Sequence, residues 1–118
     1  MRMWMIDPVV MCNKHLLGEH VECHMFFGHL QRKRQITNYI RLNLLEPGSL
    51  RQRHDQLAQE MTRRKMSHKS PLPEFDISYL PKEHQTYTVN ADASLKEITR
   101  RCPECRKRTA GADRIDLK

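Results

Sequence analysis

The pair Asp7-Pro8, followed by a long stretch with no further proline until Pro47, constrains this 118-residue chain most. Asp7 suits a helix N-cap, Pro8 the first helical position and Gly28 the end, so the spacing predicts a helix from Pro8 to about Phe27. At about 100° per residue, His15, Glu19 and Glu22 fall on one face of it. Val9, Cys12, Leu16, Cys23 and Phe27 form one apolar flank, and Val10, Leu17 and Val21 the other, which predicts a helix buried on two sides. Burying charge without a partner is costly, so such an ionisable stripe has to be paired, solvated by a cleft or used for chemistry.

The rest of the chain reads as helices and one long connection. Leu30 to Leu45 is predicted as a second helix, opened by Arg32-Lys33-Arg34 and stopped by Pro47-Gly48. Ser49 with Gln52 makes a capping box, and Leu50, Leu57, Ala58 and Met61 recur at helical spacing, giving a third helix from Leu50 to about Met66. From Ser67 to Asp92 the chain holds Pro71, Pro73 and Pro81 with scattered Phe75, Tyr79 and Tyr87, the pattern of a loop packed on the protein or on a ligand. Ser94 and Glu97 form a second capping box for a helix from Leu95 to Arg101, broken by Pro103. The expected fold is all-α: one compact domain of three to four helices over residues 1–108, with the long Pro-containing loop before the last helix and a flexible tail at 109–118.

Charge points outward to a polyanion. Lys plus Arg number 21 against 14 Asp plus Glu, a formal +7, and arginine can grip phosphate in bidentate fashion. The candidate phosphate contacts are Arg32, Lys33 and Arg34, then Arg51, Arg53, Arg63 and Arg64 around the third helix, and Arg106 and Lys107 near the end. Met1 to Ile6 is too short for a signal-peptide core, and no apolar run approaches the ~18 residues of a membrane span. The expectation is an intracellular, cytoplasmic monomer that touches no membrane.

Four cysteines without a secretory signal read as free thiols or metal ligands. Cys12 and Cys23 on an apolar flank read as small buried hydrophobes. Cys102-Pro103-Glu104-Cys105 is half of a zinc site, which His68, His84, Cys12 or Cys23 could complete; the plain alternative is a tight turn within the C-terminal basic cluster. No metal and no cofactor is expected in the functional site.

Serine chemistry and nucleotide hydrolysis lack their motifs here. The chain-terminal amine is the better nucleophile: an α-amino group titrates near about 7.7 to 8.0 against about 10.4 for lysine, so more of it is unprotonated at neutral pH. Arg2 is bulky, so Met1 is expected to be retained, and Met3, Trp4, Met5 and Ile6 are expected to pin it to the fold.

Met1-Arg2 together with His15-Leu16-Leu17-Gly18-Glu19-His20-Val21-Glu22 resembles the phage-type pyrimidine dimer DNA glycosylase family. The resemblance extends through the Leu50-to-Lys65 and Leu95-to-Arg101 helices. It departs from the phage pattern at Val21, where that pattern has arginine, and at Cys102 to Lys107, where it has an aromatic-rich segment. The resemblance implies an all-α glycosylase and abasic-site lyase acting on damaged double-stranded DNA, pyrimidine dimers by default. It places the nucleophilic amine on Met1 and the catalytic carboxylate on Glu22, with Arg2 and His15 beside them as active-site residues. Glu19 is left without a role beyond pairing with a cation such as Arg2. The alternative is a non-catalytic basic helical module that binds nucleic acid, stapled by zinc.

Overall fold

The first six residues run across the core without regular secondary structure before any helix begins, with Met5 in the left-handed region (φ 59°). The computed structural model describes the backbone of residues 1–67 and 71–116, and side chains through residue 111. Among these residues all regular secondary structure is helical, as expected. Met3, Trp4 and Ile6 are buried in the core, and the Met3 amide donates to the Leu44 carbonyl at 2.6 Å. The terminal strap is therefore held by apolar burial and by backbone bonding, which leaves Met1 at its free end.

The predicted first helix is two pieces. Asp7 does cap, its carboxylate accepting from the Val9 amide at 3.0 Å, but the turn it caps is a short 3₁₀ segment, Pro8–Val10. Met11 and Cys12 are extended, and the long helix α1 spans Asn13–Gln31 with Cys12 at its N-cap. Gly28 lies within α1, which ends when Lys33 enters the left-handed region (φ 56°). Burial on two sides is also corrected. Leu16, Cys23, Phe26, Phe27 and Leu30 face the core, whereas Leu17, Val21 and Met25 lie on the surface, with Val21 56% exposed.

The second predicted helix shrinks to α2, Thr37–Arg41; Leu30 already belongs to α1, and Asn43 (φ 62°) turns the chain back. A 3₁₀ turn, Pro47–Ser49, leads into α3, Leu50–Arg63, close to its predicted bounds. Ser49 occupies its N-cap without a side-chain capping bond, so the Ser49–Gln52 box does not form. The long connection packs on the protein: Leu72, Leu80 and Val89 are buried, Phe75 meets Phe27 edge-on, and the Tyr79 hydroxyl donates to the Arg34 carbonyl at 2.7 Å. It contains one short helix, α4 (Lys82–Gln85).

Helix α5 spans Ala91–Arg101 and starts four residues earlier than predicted, because Asn90 is its cap, accepting from the Ala93 amide at 3.0 Å. Ser94, read as a cap, is buried inside α5 instead. Pro103 ends one helix by starting another: α6 covers Pro103–Asp116 and extends into the segment predicted as a tail. Helix α1 packs on α3, while α6 packs on α5 and on the Pro8–Val10 turn, so the α5–α6 corner meets the start of α1.

Candidate active site

The N-terminal strap brings the chain terminus over α1. The Met1 amine lies 3.8 Å from Glu22 Oε1, about two turns along α1 from the level of His15. Both line an open cavity of about 460 Å³, together with Arg2, Trp4, Lys14, His15, Gly18, Glu19, Leu44 and Arg101. All four residues predicted as catalytic, Met1, Arg2, His15 and Glu22, are thus brought to one wall. Gly18 leaves that wall low, since a Cβ there would meet no atom within 4 Å.

Arg2 is held by two side chains and sits in the field of two charges. Its guanidinium stacks 3.7 Å above the Trp4 ring centroid, its Nη2 donates to Ser94 Oγ at 3.3 Å, and Glu97 and Arg101 add opposing charge effects. Burial, then Arg101, pulls Arg2 below its ordinary arginine value, although it stays cationic in the neutral range. Its Nε is buried with no hydrogen-bond partner among the described residues. A buried donor of this kind is costly unless an acceptor arrives, and a phosphate oxygen is one.

His15 faces elsewhere than Glu22 with one ring nitrogen. Nδ1 lies 3.2 Å from Cys12 Sγ and 3.5 Å from Cys105 Sγ, and the ring meets Trp4 edge-on. Burial, with Lys14 beside it, holds the imidazole below its usual value.

Glu19 finds its cation in Arg53 rather than Arg2. Arg53 Nε donates to Glu19 Oε2 at 2.6 Å and Nη2 to Oε1 at 2.9 Å, in a pair only 1–2% exposed. Arg53 Nη1 also donates to the Ile6 carbonyl at 2.6 Å and to Gln56 Oε1 at 2.9 Å. The prediction that Arg53 touches DNA is corrected: its guanidinium is enclosed and its donors are used internally. Sequence carried a signal of this, because Arg53 lies at i+3 from Leu50 and i−4 from Leu57, inside the apolar row of α3.

The other predicted phosphate contacts divide. Arg32, Lys33 and Arg34 are exposed just past the end of α1, and Arg63, Arg106 and Lys107 are exposed too. Arg63 and Arg64 share the Glu60 carboxylate, and Arg64 further donates to the Pro8 and Met11 carbonyls, bolting α3 to the Pro8–Val10 turn. Arg51 donates to the Leu72 and Pro73 carbonyls and so holds the long connection. Arg106 caps α5 through the Thr99 and Arg100 carbonyls. Lys14 and Arg101, which sequence reading left out of the site, add positive charge to the cavity wall.

A family model described as pyrimidine dimer DNA glycosylase matches residues 1–74. The chain belongs to the pyrimidine dimer DNA glycosylase family. It is thus a member of a family of DNA repair glycosylases, and the matched part contains the strap, α1 and all of α3. No curated protein and no solved structure gives a significant match. Among the described residues, no helix of this glycosylase-family chain is long and apolar enough to cross a membrane.

Two further side-chain clusters accompany this cavity. Cys12, His15, Cys102 and Cys105 converge, with ligand atoms within 4.8 Å of one another, as do His20, His24 and His54 between α1 and α3. Of the residues considered for completing a zinc site with Cys102 and Cys105, Cys12 is brought there, while Cys23 is buried in the core, where burial pushes its thiol up, and His84 lines a separate cavity with Lys33 and Tyr79. His68 lies outside the described residues.

Proposed function

We propose that this protein excises damaged bases from duplex DNA and then cuts the strand at the resulting abasic site, with the Met1 α-amine as nucleophile and Glu22 as the working carboxylate. The observation that carries this reading is the Met1 amine held 3.8 Å from Glu22 on the wall of an open cavity by an otherwise buried strap. An anchored terminus places the amine where a sugar can reach it.

The chemistry follows from these positions. Unprotonated Met1 nitrogen attacks sugar C1′, the base leaves with its bonding electrons, and loss of a proton from nitrogen with ring opening gives an imine. The Glu22 carboxylate stabilises the positive charge that develops on the sugar, then takes a C2′ proton so that the 3′ phosphate departs by β-elimination; water releases the imine. Arg2, through its unpartnered Nε, holds a phosphate, with Lys14 and Arg101 adding positive potential. A damaged pair lowers the unstacking cost of reaching this cavity, and pyrimidine dimers are the substrate the family description favours. Exposed Arg32, Lys33, Arg34, Arg63 and Lys107 are proposed as backbone contacts to the duplex, which one monomer engages without a cofactor in the chemical steps. A non-catalytic basic module accounts for the charge but leaves the Met1–Glu22 pairing without a purpose.

Glu22→Gln is the direct test. Assayed on ultraviolet-irradiated and on depurinated duplexes, the variant is expected to bind both within about threefold of the parent and to lose at least about a hundredfold in strand cutting. Unchanged cutting removes Glu22 from the mechanism.

A further inference from the structure

We propose that Cys12, His15, Cys102 and Cys105 bind one zinc ion in a closed four-ligand site that ties the start of α1 to the α5–α6 corner. Neither Cys-x-x-His at 12–15 nor Cys-x-x-Cys at 102–105 is sufficient alone, and the two are some ninety residues apart; the fold supplies the missing half of each.

Three observations converge. First, the spacings are those of a tetrahedron. Bonds of about 2.3 Å to sulfur and about 2.0–2.1 Å to nitrogen require edges of roughly 3.8 Å between sulfurs and roughly 3.5 Å from sulfur to nitrogen. Cys12 Sγ lies 3.8 Å from Cys102 Sγ, and His15 Nδ1 lies 3.2 Å and 3.5 Å from the sulfurs of Cys12 and Cys105. Second, the two halves are built alike. Cys12 is the N-cap of α1 with His15 in its first turn, and Cys102 immediately precedes α6 with Cys105 in its first turn. Helix N-termini favour thiolate, the form that binds metal. Third, backbone donors already point at the sulfurs: the Cys12 amide donates to Cys105 Sγ at 3.2 Å and the Cys105 amide to Cys102 Sγ at 3.5 Å. Thiolates with one imidazole suit zinc among the available divalent ions. Four protein ligands fill a tetrahedral zinc and leave no open position for a substrate, so the ion's part is structural.

The site bears on the proposed chemistry through His15. With Nδ1 on the metal, Nε2 carries the proton and can only donate, so His15 becomes a positioning residue in the cavity wall rather than a proton acceptor. That consequence rests on the proposed function; the metal site does not, and its test reads metal directly.

Untagged protein purified under reducing conditions is expected to carry one zinc per chain by plasma mass spectrometry. Exchange to Co²⁺ is expected to give tetrahedral d–d bands and a thiolate charge-transfer band. Cys105→Ser and Cys102→Ser are expected to lower bound zinc to roughly a tenth or less after equilibration with zinc sulfate, whereas His15→Cys and His24→Ala keep it. The His15→Cys variant and the parent's cobalt spectrum keep the test decisive if the serine variants fail to fold. Folded parent protein that takes up no zinc under reductant, a cobalt spectrum without thiolate bands, a disulfide in place of the ion, or zinc lost with His24→Ala but kept in Cys105→Ser overturns the proposal.

Discussion

Arg53 joins three parts of the molecule at once: α3, on which it sits, Glu19 of α1, and the Ile6 carbonyl of the N-terminal strap. With both partners buried, the ion pair need not add net stability, yet removing one member strands the other charge in a medium that solvates it poorly. Arg53→Ala is therefore expected to destabilise the protein by about 3–5 kcal/mol in urea denaturation, and Glu19→Gln combined with Arg53→Met to recover much of that loss. A loss under about 1 kcal/mol for Arg53→Ala would show that the pair is not isolated from water. Sequence periodicity made it legible that Glu19 needed a cation, but not which one, because several arginines compete and only packing brings α3 across α1. The proposed catalytic carboxylate was easier to read: Glu22 is two turns from His15 on the same face, and both line the cavity.

At the scale of the element, α3 carries its own acid sensitivity. Hydrogen bonds from Arg63, and then from Arg64, hold the Glu60 carboxyl below the usual carboxylate range, although its burial acts the other way. A depressed folded value stabilises the protein fully above the unfolded carboxylate range, and that stabilisation is lost as pH falls through the folded value. Glu60→Gln should therefore cost stability at about pH 7 and progressively less toward about pH 3, measured by thermal melts across that range. An equal cost at both ends would show that the carboxylate charge is irrelevant. Helix α3 itself was legible because its apolar row repeats at helical spacing over its full length. The boundaries of α1 and α2 were not, because they are set by left-handed turns at Lys33 and Asn43, and a lysine gives no local warning of positive φ. Asn90 was overlooked as the cap of α5 because Ser94 and Glu97 imitate a capping box; Glu97 instead pairs with Arg100 and Arg101.

The whole molecule is arranged so that a loose end becomes a fixed one. Long-range contacts hold the strap from every side: Leu44 through Met3, Ser94 through Arg2, Arg53 through Ile6, and the α6 corner through the turn that follows. The all-helical class and the anchoring role of Met3 to Ile6 were visible in the residues, whereas the convergence of Cys12 and His15 with Cys102 and Cys105 depends on a chain reversal that no local pattern encodes. If the anchored nitrogen of Met1 does the chemistry, covalent trapping captures it. Untagged protein is incubated with a duplex containing one abasic site, borohydride is added, and the cross-linked peptide is mapped by mass spectrometry. The account predicts a stable adduct on the Met1 nitrogen that disappears when one residue is added before Met1; no adduct, or an adduct on a lysine that survives that addition, would contradict it.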